Sequence, residues 1–171
     1  MVPVTDLPLG PVTSPSSTLE LIGLDEVADM LAKPPRRRAD WHPQYPREDD
    51  CDGVGMTREV TPWGSRRVVR RTDGLVVGSV GFFGPPEPAD DGVPEVEIGY
   101  GLVEDARGQG LMRDVLAALL AATDAAGVRV RAATTRDNAA SLASLRGAGF
   151  RVVGSDPDDP ERQVLLLRDV P

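Results

Sequence analysis

The sequence has 171 residues and a formal net charge of −8. This length predicts one domain with a single sizeable core. The acidic balance argues against general nucleic-acid binding, and no apolar run reaches the roughly 18 residues that a membrane span needs. A cationic amine would suit the charge as a partner, although acidity serves solubility more often.

Two residue types that occur once each limit the redox and metal chemistry. Cys51 is the single cysteine, so no internal disulfide can form. Because the amino-terminal segment also lacks the pattern of a signal peptide, we expect a cytoplasmic protein. The single histidine, His42, lies among aromatic residues and prolines, and we predict no metal site.

The first residues of the chain predict one strand and one helix behind an irregular segment. Residues 1–17 are rich in proline, serine and threonine, which favours a flexible arm ahead of a single domain over residues 18–171. Residues 18–22 predict a strand. Asp25 then supplies an N-cap for a short helix that ends before Pro34.

The segment 36–56 is polar, interrupted by prolines and difficult to assign. It contains Trp41 and Tyr45, in a chain with few aromatic residues. Long irregular segments in compact domains are frequently functional. Two interpretations have equal weight: a lid whose Trp41 and Tyr45 bind substrate, and a surface loop that packs its aromatic side chains locally.

The remainder of the chain alternates strands with two helices. Asp73-Gly74 between two β-rich runs predicts a hairpin, and Gly127 ends the helix with the clearest apolar stripe. The order predicts an α/β (α+β) fold with a mixed sheet covered by helices. The predicted strands are residues 64–71, 75–83, 95–103, 128–134, 150–153 and 163–168, and the predicted helices are residues 110–126 and a second one that begins at Asp137 or Asn138.

The turn before the long helix carries the strongest chemical signal. It reads Asp-Ala-Arg-Gly-Gln-Gly over residues 105–110. Gly108 and Gly110 let backbone N–H groups approach an anion, the helix N-terminus favours negative charge, and Arg107 adds a cation. The spacing fits neither a nucleoside-triphosphate P-loop nor a dinucleotide-binding fingerprint. A Gly-x-Gly pair by itself is equally typical of a tight strand-to-helix turn.

Three segments, in the right order, resemble the GNAT superfamily of N-acetyltransferases. The turn is similar to that family's Arg/Gln-x-x-Gly-x-Gly/Ala motif, with Asp105 in place of the first Arg or Gln. The resemblance covers residues 18–168 and is strongest over residues 95–150. Features shared with the branch of ribosomal-protein N-terminal acetyltransferases are Arg107 before Gly108, Glu-Ile-Gly-Tyr at 97–100, Asn138, Ser141 and Gly-Phe at 149–150.

The resemblance implies a fold and a donor substrate. The fold would be a mixed, mostly antiparallel sheet of six to seven strands flanked by helices, with the fourth and fifth strands splayed apart. The donor would be acetyl-CoA, with its pantetheine arm in that gap and its pyrophosphate on the turn. Gly99 and Gly101 suit a bulge or a close backbone approach beside it. The residues expected to bind it are Leu102, Val103, Arg107, Gly108, Gln109, Gly110, Leu111, Met112 and Asn138.

The reaction that the resemblance implies is direct attack of an amine on the thioester. A base must take a proton from the amine, and Glu97 is the first candidate. Glu95 points to the same face by strand alternation and is a second base or a substrate-binding carboxylate. The alternative for Glu97 and for Glu95 is a solvent-exposed carboxylate on a strand with no role in catalysis. Leu145 stands where many family members have a tyrosine, so Ser141 is the candidate hydrogen-bond donor to the leaving sulfur. The alternative, that Ser141 is only a hydroxyl on the helix surface, has equal weight.

Other functions and partners remain open from the sequence. A non-catalytic acyl-CoA-binding module is the alternative function, and an interaction protein that shares only the fold is a third. The acceptor would be a small-molecule or peptide amine, and the acidic charge leans towards a small cationic one. A homodimer is possible because family members often dimerise.

Overall fold

The computed structural model describes residues 4–160 and 163–171. This part of the chain contains nine strands: β1 Val12–Thr13, β2 Ser17–Leu21, β3 Arg66–Arg70, β4 Val76–Phe82, β5 Glu87–Pro88, β6 Pro94–Leu102, β7 Arg129–Thr135, β8 Arg151–Ser155 and β9 Gln163–Arg168. They form one sheet in the order β1-β2-β3-β4-β6-β7-β9-β8, with β5 paired to β6. Every pair is antiparallel except β6 with β7. The predicted mixed, mostly antiparallel sheet is confirmed, and the two-residue strands β1 and β5 come in addition to the six to seven strands expected.

Helices cover both faces of this sheet. They are α1 Leu24–Leu31, α2 Glu48–Val54, α3 Leu111–Ala126 and α4 Ala139–Gly147. Side chains alternate between faces along β6. The Arg47 guanidinium, at the start of α2, lies over Gly101, whereas the Tyr100 hydroxyl contacts Ser141 in α4. Because neighbouring strand positions meet different helices, α2 and α4 lie on opposite faces.

Helix α3 supplies the centre of the core on the α4 side. Its apolar stripe is buried, and this matches the predicted periodicity. Gly127 ends the helix in the left-handed region, with φ of 73°. The helix begins at Leu111, one residue later than predicted, because Gly110 is its N-cap. The buried stripe consists of Leu111, Val115, Leu116, Leu119 and Leu120.

Strands β6 and β7 pair over a short length and then separate. Their parallel register runs from Glu95 opposite Arg129 to Glu97 opposite Arg131, and no later pair joins them in the described part of the chain. Both strands nevertheless continue, β6 to Leu102 and β7 to Thr135. These are the fourth and fifth strands of the predicted fold, and their splaying is confirmed.

The glycines of β6 do not form the bulge that was one of the two expectations. Gly99 and Gly101 lie in uninterrupted antiparallel register with β4. Their missing side chains leave room for neighbouring ones, since a Cβ at Gly99 would lie 2.7 Å from the Phe83 ring and a Cβ at Gly101 would clash with the Arg47 guanidinium. These two positions therefore let the Phe83 and Arg47 side chains pack directly on the strand.

The amino-terminal segment packs on the sheet where the sequence predicted a flexible arm. Leu7 is buried, and the Asp6 carboxylate accepts the indole N–H of Trp63 at 3.1 Å. Residues 1–3 of the predicted arm lie outside the described residues. A two-residue strand such as β1 is too short to show a period in the sequence. In α1, Gly23 is the N-cap, and the predicted cap, Asp25, instead pairs with Arg38 at 2.9 Å.

Candidate active site

Two adjoining cavities follow the splayed edge of β6. The first is a cleft of about 490 Å³ that opens between β6 and β7. The second is a groove of about 480 Å³ that runs from Tyr100 to the turn before α3. The residues that line both cavities are Arg47, Asp49, Tyr100, Asn138 and Ser141. An elongated ligand can therefore extend from the turn to the cleft.

The turn before α3 presents a series of free backbone donors. Gly108 and Gly110 adopt φ of 73° and 76°, in the left-handed region that favours glycine. Among the described residues, no hydrogen bond is made by the backbone N–H groups of residues 108–113. These groups and the helix dipole together favour a bound anion such as a phosphate. Gly108, Gly110, Leu111 and Met112 line the groove at this point.

Side chains around the turn are held by contacts that the sequence did not reveal. Arg107 lines the groove while its Nε donates to the Leu102 carbonyl at 3.0 Å, and Gln109 donates to the Asp105 carbonyl at 3.1 Å. Asp105 accepts from the Gln44 amide at 3.2 Å, and its own N–H donates to Gln44 at 3.1 Å. The aspartate that departs from the family motif is thus tied to the segment 36–56.

The edge of β6 that faces the gap has unpaired backbone groups. The Glu97 carbonyl and the Val103 N–H both bond to the β4 side, to Phe83 and Val77 respectively. In an antiparallel pair the alternate residues turn the other way, so Ile98 and Tyr100 direct their backbone groups towards β7. The last rung of the parallel pair, Glu97 opposite Arg131, uses the Ile98 N–H, so the Ile98 C=O and both backbone groups of Tyr100 face the gap. Leu102 shares this orientation, but Arg107 already occupies its carbonyl. Val103 is fully buried and its N–H bonds to Val77 in β4. It therefore has no free N–H for the predicted contact with acetyl-CoA.

Glu97 lies on the wall of the cleft. Its side chain is 31% exposed, and the Arg131 guanidinium lies 3.3 Å from its carboxylate. The exposed ring of Phe83, which rests on Gly99, is next to it on the same wall. This places a carboxylate beside the gap, where an amine could approach.

Glu95 is committed to an ion-pair cluster. Its carboxylate accepts from Arg129 Nε at 2.7 Å and lies 3.7 Å from Arg131. Arg129 also binds Asp91, and its pKa is raised chiefly by that hydrogen bond. Glu95 is absent from the residues that line the cleft. The contacts therefore favour a structural role for Glu95 over the predicted base or substrate contact.

The start of α4 brings two hydroxyl groups together across the gap. Asn138 is the N-cap of the helix, and its side chain accepts the Ser141 N–H at 3.1 Å. Ser141 Oγ lies 3.0 Å from the Tyr100 hydroxyl. Leu145, where the resemblance expected a tyrosine, is buried and supplies no hydrogen-bond donor. Where the cleft meets the groove, a hydroxyl pair is therefore supplied by Ser141 in α4 and Tyr100 in β6.

Comparison with known proteins agrees with this geometry. The family model for the acetyltransferase (GNAT) domain matches residues 19–151. The chain belongs to the GNAT acetyltransferase family. No curated protein matches the sequence.

Solved structures place the GNAT fold over nearly the whole chain. A Bordetella pertussis protein assigned to the GNAT family is 25% identical, with a TM-score of 0.62 over 92% of this chain and 98% of that one. A Vibrio cholerae protein assigned as a ribosomal-protein-serine acetyltransferase is 17% identical, with a TM-score of 0.65 over 96% and 99%. The ribosomal-protein-S5-alanine acetyltransferase of Vibrio fischeri is 17% identical, with a TM-score of 0.63 over 94% and 96%. At 17% identity the likeness concerns the fold alone.

Trp41 and Tyr45 do not line the cleft of this GNAT protein. They are 3% and 0% exposed, and their rings pack edge to face at 5.4 Å. The Trp41 indole donates to buried Glu26 at 2.9 Å. The structure thus fits the interpretation of aromatic residues that pack locally, and neither side chain lines the cleft or the groove. The signal missed was that Trp and Tyr in an otherwise polar segment are anchors for the core.

Three site residues were not identified from the sequence. Arg47 lines both cavities; buried Asp50 accepts from its Nε and Nη2 at 3.0 and 2.7 Å, and Ser79 donates to the same Asp50 at 2.5 Å. Arg113 is 81% exposed and lies near Gly110 at the groove. Phe83 forms part of the cleft wall. Only tertiary packing brings Arg47 and Phe83 to the site, so no local motif could have indicated them.

Neither a cluster of metal-ligating residues nor a membrane-spanning helix is found in the described part of the chain. No group of three or more His, Cys, Asp or Glu residues in it could hold a metal ion. Similarly, none of its helices is both long and apolar enough to span a bilayer.

Proposed function

We propose that this GNAT protein transfers the acetyl group of acetyl-CoA to a primary amine by direct attack. The observation that carries the proposal is the run of free N–H groups at residues 108–113, which adjoins the gap between β6 and β7. The turn would bind the pyrophosphate, with Arg107 and Arg113 as nearby cations. The Ile98 carbonyl and the backbone groups of Tyr100 would bind the amides of the pantetheine arm.

Glu97 is the proposed general base. Alkyl amines are mostly protonated near neutral pH, so a carboxylate on the cleft wall can attract the ammonium form and take its proton, directly or through one water. Arg131 holds that carboxylate in place from β7. Glu95 is the weaker candidate because Arg129 and Arg131 already occupy its oxygens. Ser141 is the proposed donor to the sulfur as the thioester breaks.

The proposed acceptor is a small-molecule or peptide amine. Two similar structures are named as ribosomal-protein acetyltransferases, which supports a peptide amine. The net charge of −8 supports a small cationic amine. The cytoplasmic location, the single domain and the homodimer stay predictions.

The experiment is thiol release from acetyl-CoA over a mixed panel of peptides, diamines and amino sugars. We expect Glu97→Gln to lower kcat by about 100-fold or more, as is typical when a general base is removed. The matched change Glu95→Gln, two residues away on the same strand face, should lower kcat by less than that. Full activity of Glu97→Gln would refute the assignment of the base.

A non-catalytic acyl-CoA-binding module is the second candidate. Leu145, which leaves α4 without a tyrosine donor, and Asp105 in the turn favour it. Calorimetric binding of CoA without thiol release from any member of the panel would support this module over the enzyme.

A further inference from the structure

Tyr100 and Ser141 form a pair of touching hydroxyls between β6 and α4. The Tyr100 hydroxyl lies 3.0 Å from Ser141 Oγ and 3.4 Å from the Ser141 carbonyl. Both residues line the cleft and the groove, so the pair stands where the two cavities meet. A thioester reaching from the groove into the cleft would pass this point.

Across the described part of the chain, the hydroxyls of Tyr100 and Ser141 bond only within this pair of residues. In the described regions, neither hydroxyl has a hydrogen bond to any other residue. Tyr100 is half-buried, and burial raises its pKa against the opposing effect of the Ser141 hydrogen bond. Its hydroxyl therefore keeps its proton at neutral pH and remains a donor.

The direction of the hydrogen bonds depends on what occupies the cleft. A serine hydroxyl has one proton and can also accept, so Ser141 can donate either to Tyr100 or into the cleft. An anion in the cleft is a stronger acceptor than a phenol, and donation to it from Ser141 frees Ser141 Oγ to accept from Tyr100. Such a chain is cooperative, because each bond polarises the next.

We propose that Tyr100 is a positioning residue that orients the Ser141 O–H towards the leaving sulfur. This rests on the proposed acetyl transfer. The amine nitrogen forms a bond to the acetyl carbon, and its surplus proton passes to Glu97. The C–S bond breaks with its electron pair on sulfur, which gives a thiolate. Ser141 donates a hydrogen bond to that thiolate, Tyr100 donates to Ser141, and solvent later protonates the sulfur.

The test measures the thiol pKa of bound CoA and needs no acceptor. CoA is titrated with pH while it is bound to the protein, and the thiolate is followed by its ultraviolet absorbance. Because Cys51 is the one protein thiol, all proteins carry Cys51→Ser. A hydrogen bond to the thiolate lowers the thiol pKa. We expect Tyr100→Phe to raise the pKa of the bound thiol by about one unit, a ten-fold loss of thiolate stabilisation, with little change in CoA affinity at neutral pH.

Three further variants make the result specific. Ser141→Ala should raise the thiol pKa at least as much, and the double variant with Tyr100→Phe should add little, because the two act in series. Tyr45→Phe, the same change at the other tyrosine, should leave the pKa unchanged, since Tyr45 is buried away from the cleft. Thr134→Val removes another hydroxyl that lines the cleft without touching the pair.

The outcomes separate the relay from the enzyme itself. Bound CoA with the same thiol pKa in the parent and in Tyr100→Phe would overturn the relay and leave acetyl transfer intact. A raised thiol pKa in Thr134→Val, without one in Tyr100→Phe, would overturn the relay and indicate that Thr134 in β7 donates to the thiolate. Failure of the parent protein to bind CoA would refute the proposed function, and the relay with it. In the kinetics, the relay predicts a lower kcat for Tyr100→Phe at an unchanged KM for acetyl-CoA.

Discussion

Gly108 and Gly110 hold backbone conformations that an added side chain would strain. Both lie at positive φ, as does Gly127 at the other end of α3. Replacing any of the three by alanine should cost about 1–2 kcal/mol of folding free energy. Only the first two face the groove, so Gly108→Ala and Gly110→Ala should also weaken acetyl-CoA binding by about ten-fold or more, through lost approach of the N–H groups. Calorimetry and thermal unfolding measure the two effects.

Gly127→Ala is the control for that comparison. It carries the same strain at φ of 73° but lies a helix length from the turn. Equal loss of affinity in all three variants would show that instability, and not the binding turn, explains the effect.

Tyr45 provides a pH-dependent test of the core. Burial, helped by the negative charges of Asp50 and Glu26, raises its pKa above that of an unfolded tyrosine. The stability that this raised pKa contributes is fully present below pH ~10. Above that pH the unfolded tyrosine loses its proton while the folded one keeps it, so the free energy of unfolding falls by up to about 1.4 kcal/mol per pH unit. Tyr45→Phe should flatten this decline while changing stability little at pH 7. Urea titrations at several alkaline pH values measure it, and parallel curves would contradict the buried placement.

At the scale of single residues, the sequence predicted backbone chemistry better than side-chain contacts. Gly108 and Gly110 were identifiable because a positive φ restricts the choice of residue. For Trp41 and Tyr45 the sequence left a substrate lid and local packing equally open, because burial of an aromatic side chain depends on partners far along the chain. Asp105 could be read as a departure from the motif, but its contact with Gln44 spans 61 positions.

At the scale of elements, α2 depends on a tertiary contact more than on its own sequence. It has seven residues, with Gly53 inside, and such a helix is unstable in isolation. Asp50 holds it, accepting from the Arg47 backbone and side chain and from Ser79 in β4. This explains why the segment looked irregular, whereas the periodic apolar stripe of α3 was predicted correctly.

Removing the Asp50 carboxylate should therefore loosen α2. Asp50→Ala leaves the Arg47 guanidinium without its buried partner and should cost about 3 kcal/mol, which for a domain of this size is about 6–12 °C in Tm. Asp49→Ala is the matched control. The Asp49 side chain is 86% exposed, and its carboxylate comes no nearer than 3.9 Å to the Arg47 guanidinium. The cost of Asp49→Ala should be below about 0.5 kcal/mol. Equal Tm values would contradict the anchoring role.

At the scale of the whole molecule, the net charge of −8 favours association with cations. At saturating acetyl-CoA, kcat/KM for a diamine acceptor should fall several-fold as salt rises from about 0.02 to 0.3 M, because the Debye length shrinks. An ω-amino carboxylate of the same length should show a smaller or opposite change. The same salt dependence for both acceptors would contradict charge-guided acceptor entry.

The fold as a whole followed from the order of elements and three short motifs. The parallel pair β6–β7 in an otherwise antiparallel sheet requires a crossover, which α3 supplies. The acceptor did not follow, because the cleft wall combines residues from β4, β6, β7 and α2 that no contiguous stretch contains. The turn at residues 105–110 is local in sequence, and the wall of the cleft is not.

In the proposed reaction, the turn before α3 presents acetyl-CoA to an amine in the gap between β6 and β7. The most direct measurement uses acetyl-CoA labelled in its acetyl group, with the amine and peptide panel, and follows the label by mass spectrometry. We predict label on an amine in the same amount as thiol released, and none retained on the protein. Bound acetyl-CoA with no label transferred to any amine, or with label retained on a protein side chain, would contradict the account.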